Sequence, residues 1–211
     1  DKKYLIYIII ITVLIIILGV LWYLIINNNS NTNSNNPPEI SNTSATYSAV
    51  KEITKDEDIT SGEYKSTTKD ENVISASGDI KSTLSNITVN KTGDSDGGDN
   101  TSFYGTNSAI IAKAGASLTI KNATINTDAT GANGVFSYGG SATTSNSSSD
   151  GTIVNISDSK ITTTKDNSGG IMPTGGGIMN ATNLTINTAG TSSAAIRSDR
   201  GGGTVTVNKG T

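Results

Sequence analysis

The sequence contains no cysteine and no histidine among its 211 residues. Without cysteine there is no disulfide framework, no thiol nucleophile and no zinc ribbon. Without histidine there is no Ser-His-Asp triad and no imidazole metal site. Proline occurs 3 times, and aromatic residues make up 5% of the chain. Arginine is confined to Arg197 and Arg200, and 15 Lys+Arg against 18 Asp+Glu leave a net charge of -3. Such a balance does not suit a phosphate-backbone binder, so no nucleic-acid partner is expected. Carboxylate, lysine, arginine, hydroxyl and amide groups carry whatever chemistry remains.

The apolar residues are unevenly placed. Tyr4 to Ile26 is an uncharged run rich in Ile and Leu. At about 1.5 Å per residue, a helix of that length reaches roughly 35 Å, enough to cross a bilayer. Tyr4, Tyr7, Trp22 and Tyr23 lie toward its ends, where amphipathic rings favour the interface. Lys2 and Lys3 precede the run and no cation follows until Lys51. The positive-inside rule then places the N-terminus in the cytoplasm and the remainder outside the cell. A cleaved signal peptide is the rival, but its apolar core would be shorter, about 7–15 residues, and no small-residue cleavage site follows. Residues 1–26 therefore read as a cytoplasmic stub and a single-pass transmembrane signal anchor. Residues 27–48, dominated by Asn, Ser and Thr with Pro37-Pro38, bury too little to order themselves and read as a flexible tether.

Residues 49–211 repeat. The segments around Ile74, Ile111, Phe136, Met172 and Ile196 look alike, each followed by one or two short β-branched runs such as Ser117–Ile120 and Ala123–Ile125. Aligning those five residues gives short steps of 24–25 residues and long steps of 36–37. The long steps carry polar insertions at Gly93–Gly105 and Ser141–Gly151. Length variation confined to loops is what a solenoid tolerates. Short alternating runs between Gly, Asn and Asp turns argue for strands, and three per coil argue for a right-handed parallel β-helix of about five coils. Leu118, Ile120 and Ile125 would face its interior. A Greek-key sandwich explains the alternation but not the recurring segment. The pattern runs to Thr211 without a cap, which predicts that the domain is truncated there.

Two groups of polar residues invite a chemical reading. Asp94, Asp96 and Asp99 sit on a glycine-bent loop and could converge on Ca²⁺ through oxygen ligands; the alternative is a solvated acidic turn. Arg197, Asp199 and Arg200 could bind an acidic sugar or simply close a turn by ion pairing. Tyr104 and Tyr138 flank the insertions and could stack on sugar rings, whereas Phe136 reads as core. Asp150, Asp158 and Asp166 cannot be paired for acid/base hydrolysis from sequence, so no catalytic residue is assigned. Asn-x-Ser/Thr triplets at Asn86, Asn122, Asn155 and Asn183 are expected by chance in such a composition. Thr162–Thr164 lacks the regular T-x-T repeat of an ice-binding ladder.

The phrases Ser117–Ile125, Asn155–Thr163 and Asn180–Thr188 resemble coils of the pectin-lyase-like β-helix superfamily. The run Ser193–Thr204 is similar to adhesin-like, carbohydrate-binding surface β-helices of anaerobic bacteria. This resemblance implies a polysaccharide or cell-surface partner. It also leaves open a polysaccharide lyase or hydrolase, and a non-catalytic shaft presenting a further domain. Fold resemblance alone does not choose among these.

Overall fold

The computed structural model describes residues 45–95, 97–140, 149–199 and 201–211, together with Tyr4, Val13 and 16–20. Two compact units separate, 1–39 and 40–211. In the first, the described residues are helical and exposed, Leu18 at 64%. Most of the expected anchor, Tyr4–Ile26, lies outside the described residues. Among the described residues no helix is long and apolar enough to cross a membrane.

The second unit is all-β with every strand pairing parallel. Its strands fall into three stacks. Stack A contains β1 (Ala49–Ile53), β4 (Asn72–Ser77), β7 (Ile110–Lys113), β10 (Val135–Tyr138) and β13 (Ile171–Thr174), hydrogen-bonded in that order. Stack B runs through β2 (Asp58–Ile59), β5 (Lys81–Ser85), β8 (Ser117–Lys121), β11 (Ile153–Ser157), the first half of β14 (Gly177–Thr188) and β15 (Gly203–Gly210). Stack C holds β3 (Gly62–Ser66), β6 (Ile87–Lys91), β9 (Thr124–Thr127), β12 (Lys160–Thr163) and the second half of β14. Each turn of chain thus lays one strand on each stack, and five full turns are built before Ile196 starts a sixth by bridging to Ile171.

The register refines the expected period. Partners in adjacent turns are 23–26 residues apart where the chain is plain, as in Ile110 with Val135. They are 36 apart where an insertion intervenes, as in Ser117 with Ile153. Ile74 pairs with Ile110, not Ile111, and Ile196 pairs with Ile171, not Met172. The one-residue difference arises because stack A, beyond β1, is buried on both faces. Those strands carry no apolar/polar alternation to read, β4 and β7 being buried at every position but the last.

Stacks B and C do alternate, since one face looks inward and the other meets water. Apolar columns fill the interior, among them Ile74–Ile110–Val135–Ile171, Leu84–Ile120–Ile156–Ala181, Leu118–Val154–Met179 and Val89–Ile125–Ile161. Their exposure is 2% or less throughout. Each side chain among them larger than alanine contributes about 1.5–3 kcal/mol on burial. Leu118, Ile120 and Ile125 face inward as expected.

The corner between stacks B and C is a single residue in the left-handed conformation. Asn86, Asn122, Asp158 and Asn183 occupy it with φ of 53°, 52°, 51° and 54°. Asn and Asp tolerate this region best among non-glycine residues. Three of the four chance-like Asn-x-Ser/Thr triplets are therefore corner residues with a geometric reason.

Candidate functional site

The outer face of stack A is covered. Residues Thr92–Ala109, longer than a plain turn needs, carry the short helix α1 (Asp99–Ser102) and then Phe103 and Tyr104 across the sheet. Beneath them lies an outward-facing apolar column, Ile111, Phe136 and Met172, forming a second core distinct from the interior one. Phe136 is buried as expected, but outside the coil. Gly105 permits the approach: it has φ 71°, and a Cβ there would lie 2.6 Å from the Phe136 ring.

Aromatic rings close this layer. Tyr104 and Tyr138 meet edge to face with centroids 5.5 Å apart, and Phe103 lies 4.7 Å from Tyr104. Tyr104 is only 6% exposed, so its ring is given over to packing. Tyr138 keeps an intermediate exposure. Tyr47, in the stretch read as tether, is docked here, its hydroxyl donating to the Tyr104 carbonyl at 2.8 Å. The Lys113 ammonium stands 4.7 Å over the Tyr47 ring and donates to Ser77 Oγ at 2.9 Å. Thr174 Oγ1 donates to the Phe103 carbonyl at 2.6 Å, pinning the far end of the layer.

Arg197 and Asp199 lie in the sixth turn, beyond β13. Their charged groups are 3.8 Å apart with side-chain exposures of 17% and 29%. Arg197 Nη1 also donates to the Ser192 carbonyl at 2.9 Å. The pair therefore braces a turn, and the guanidinium retains further donors for a ligand. Arg200 lies outside the described residues.

The acidic loop is divided. Asp94 Oδ1 accepts the Thr130 backbone N–H at 2.7 Å, from the next coil. Asp96 lies outside the described residues, and Asp99 opens α1. Among the described residues no three His, Cys, Asp or Glu gather in a way that could hold a metal ion.

Sequence reading missed Lys91. It stands in an inward column with Ser66, Thr127 and Thr163, and none of its surface is exposed. Its ammonium donates to the carbonyls of Thr68 and Gly93 at 2.6 and 2.8 Å. Asn107 Nδ2 donates to the same Gly93 oxygen at 2.8 Å, tying the end of the insertion to its start. Burial pulls the Lys91 amine down to about 8, partly opposed by Glu71, Asp70 and Asp94. Aligning the coils by their 25- and 36-residue steps would have revealed it as a cation in a Ser/Thr column.

These groups set an alkaline stability profile. The folded Lys91 binds its proton less tightly than the unfolded chain does, so stability rises with pH through and above about 8. Lys113, lowered by burial and partly restored by Glu52, acts in the same direction. Tyrosines act oppositely. Burial, with the neighbouring Tyr104 and Asp150, pushes Tyr138 up to about 12, and burial pushes Tyr47 further. Stability is therefore lost above the unfolded tyrosine value of about 10. Melting followed by circular dichroism should show a maximum between about pH 9 and 10. Lys91→Met should flatten the rising limb and Tyr47→Phe the falling one.

Lys91 is sealed from solvent, and the raised tyrosines stay neutral near pH 7. The described outer surface carries hydroxyls and amides together with exposed charged groups such as Lys121, Asp158 and Lys160. The chain matches no protein-family model, no curated protein and no solved structure.

Proposed function

We propose that this chain is a cell-surface right-handed parallel β-helix of the pectin-lyase-like kind that binds polysaccharide. In this reading residues 4–26 anchor it in the membrane and the coils stand outside the cell. The observation that carries the reading is the chemistry of the two uncovered faces. Outward columns on stack B run Thr83–Thr119–Asn155–Asn180–Thr206, and on stack C Asn90–Asn126–Thr162–Asn187. Hydroxyls and amides repeat there at the inter-strand spacing of about 4.8 Å. A hydroxyl-rich chain finds donors and acceptors along such a face. Tyr138 and the Arg197–Asp199 pair add a ring edge and charges on stack A, and calcium at Asp94–Asp99 is an optional bridge.

A second reading, a non-catalytic shaft, draws on a different observation. Many outward amides bond to one another between coils, as Asn126 Nδ2 does to Asn90 Oδ1 at 3.0 Å and Asn180 Nδ2 to Asn155 Oδ1 at 2.9 Å. Such ladders stiffen the stack and consume ligand-binding groups. A third, a polysaccharide lyase or hydrolase, is checked by the same experiment. The full chain in mild detergent is passed over an immobilised polysaccharide panel, with and without chelator, and the eluates are assayed for new sugar ends. Retention without new ends is the expected result. New ends would make it an enzyme, and no retention on any polysaccharide would leave the shaft.

A further inference from the structure

The corner between stacks B and C carries a side-chain ladder as well as a backbone one. Asn86 Nδ2 donates to the Thr60 carbonyl at 3.2 Å, and Asn122 Nδ2 donates to Asn86 Oδ1 at 2.6 Å. Asn183 Nδ2 donates to Asp158 Oδ1 at 2.7 Å. Each rung thus hands its amide N–H to the oxygen of the rung before it. The step from Asp158 to Asn122 breaks the rule, because an aspartate has no N–H to give. Among the described residues no hydrogen bond joins these two side chains, although the backbone step is intact, Asn122 N–H reaching the Ser157 carbonyl at 3.1 Å. The Asn183 amide, with Ser157, holds the Asp158 carboxyl below the usual carboxylate range, so it stays an acceptor.

A polar groove opens at this broken step. It is lined by Asn122, Thr124, Asp158, Lys160, Asn183 and Thr185. Thr124, Lys160 and Thr185 are register neighbours on stack C and flank the corner. The residues of the groove therefore carry two acceptors, Asn122 Oδ1 and the Asp158 carboxylate, together with an ammonium and two hydroxyls. A group that supplies two donors and also accepts from Lys160 completes it. Adjacent hydroxyls of a sugar ring have that chemistry, each being donor and acceptor at once.

We propose that the Asn122–Asp158 step is a sugar-binding subsite, taking a vicinal diol of a polysaccharide that lies along the B/C corner. The inference rests on the polysaccharide-binding reading and gives it a location that neither Tyr138 nor Arg197 supplies. It requires stability and binding to move in opposite directions. Asp158→Asn restores the missing donor and completes the ladder, so the melting point should rise. The same change removes the carboxylate and offers Asn122 a donor from within the ladder, so retention on the polysaccharide that binds the wild type should fall at least about tenfold. Lys160→Ala, outside the ladder, should lower retention severalfold with the melting point unchanged.

The experiment uses the full chain, its two variants and the polysaccharide panel, with melting measured beside retention. Higher melting with lost retention in Asp158→Asn, and lost retention alone in Lys160→Ala, support the subsite. Unchanged retention in both variants, with the wild type still binding, overturns the subsite and leaves polysaccharide binding elsewhere. Wild-type retention that disappears with chelator, while both variants retain as the wild type does, places the contact at the Asp94–Asp99 loop and overturns the subsite. No wild-type retention on any polysaccharide overturns the broader reading, and the subsite with it.

Discussion

Phe136→Ala should cost about 3–5 kcal/mol of stability, the range for removing a buried aromatic ring. The ring lies outside the coil interior, yet none of its surface is exposed. It fills the centre of the Ile111–Phe136–Met172 column and supports the layer of Phe103, Tyr104, Tyr47 and Tyr138. Gly105 is fitted over the ring itself. Truncation therefore leaves a cavity that the rigid strands on either side cannot close. Near-ultraviolet dichroism from the packed tyrosines should weaken, and the insertion should become protease-sensitive while the far-ultraviolet β signal persists. Chemical denaturation gives the number. A loss under about 1 kcal/mol would mean that the outer layer rests on the sheet without forming a core.

Gly93→Ala is the second large effect. A Cβ at this position would lie 2.2 Å from the Thr68 carbonyl oxygen and 2.7 Å from the Lys91 nitrogen. Neither can retreat, because the Thr68 oxygen is itself the partner of Lys91 and the lysine has no exposed route out. The added methyl overpacks the corner and separates a buried ammonium from its acceptors, so a cost of about 1–3 kcal/mol from packing alone is expected. The loss should shrink in a Lys91→Met background, since the two sites share one contact and are not additive. Denaturation of the single and double variants measures this coupling. Equal losses in both backgrounds would show that Lys91 is not held by the Gly93 corner.

How much of this was legible depends on which face of the sheet a residue occupies. On stacks B and C, one side meets water, so the alternation of Leu118, Ile120 and Ile125 with Thr119, Lys121 and Asn126 was readable. On stack A, Ile110 and Ile111 are both buried, one inside the coil and one beneath the insertion. Apolarity there gave no phase, and the repeat could be aligned only to within one residue. The positions of the two insertions were visible as polar runs. That the first returns as an aromatic cover was not, because Tyr104 read as a ligand contact. Lys91 was hidden because a single cation in a polar chain looks solvated until its column is known. The corner asparagines looked like composition; their left-handed φ gives each a separate cause.

Every argument about columns, corners and faces depends on the parallel register of one coil on the next. The absence of cysteine makes that register directly measurable. Thr88 and Thr124 are paired outward-facing residues in β6 and β9. Parallel neighbours at about 4.8 Å lie within the range a disulfide can span, whereas a two-residue offset does not. Thr88→Cys with Thr124→Cys should therefore cross-link readily under mild oxidation, and Thr88→Cys with Asn126→Cys should not. Equal cross-linking of both pairs, or none in the first while the protein remains folded, would contradict the coil register on which the account stands.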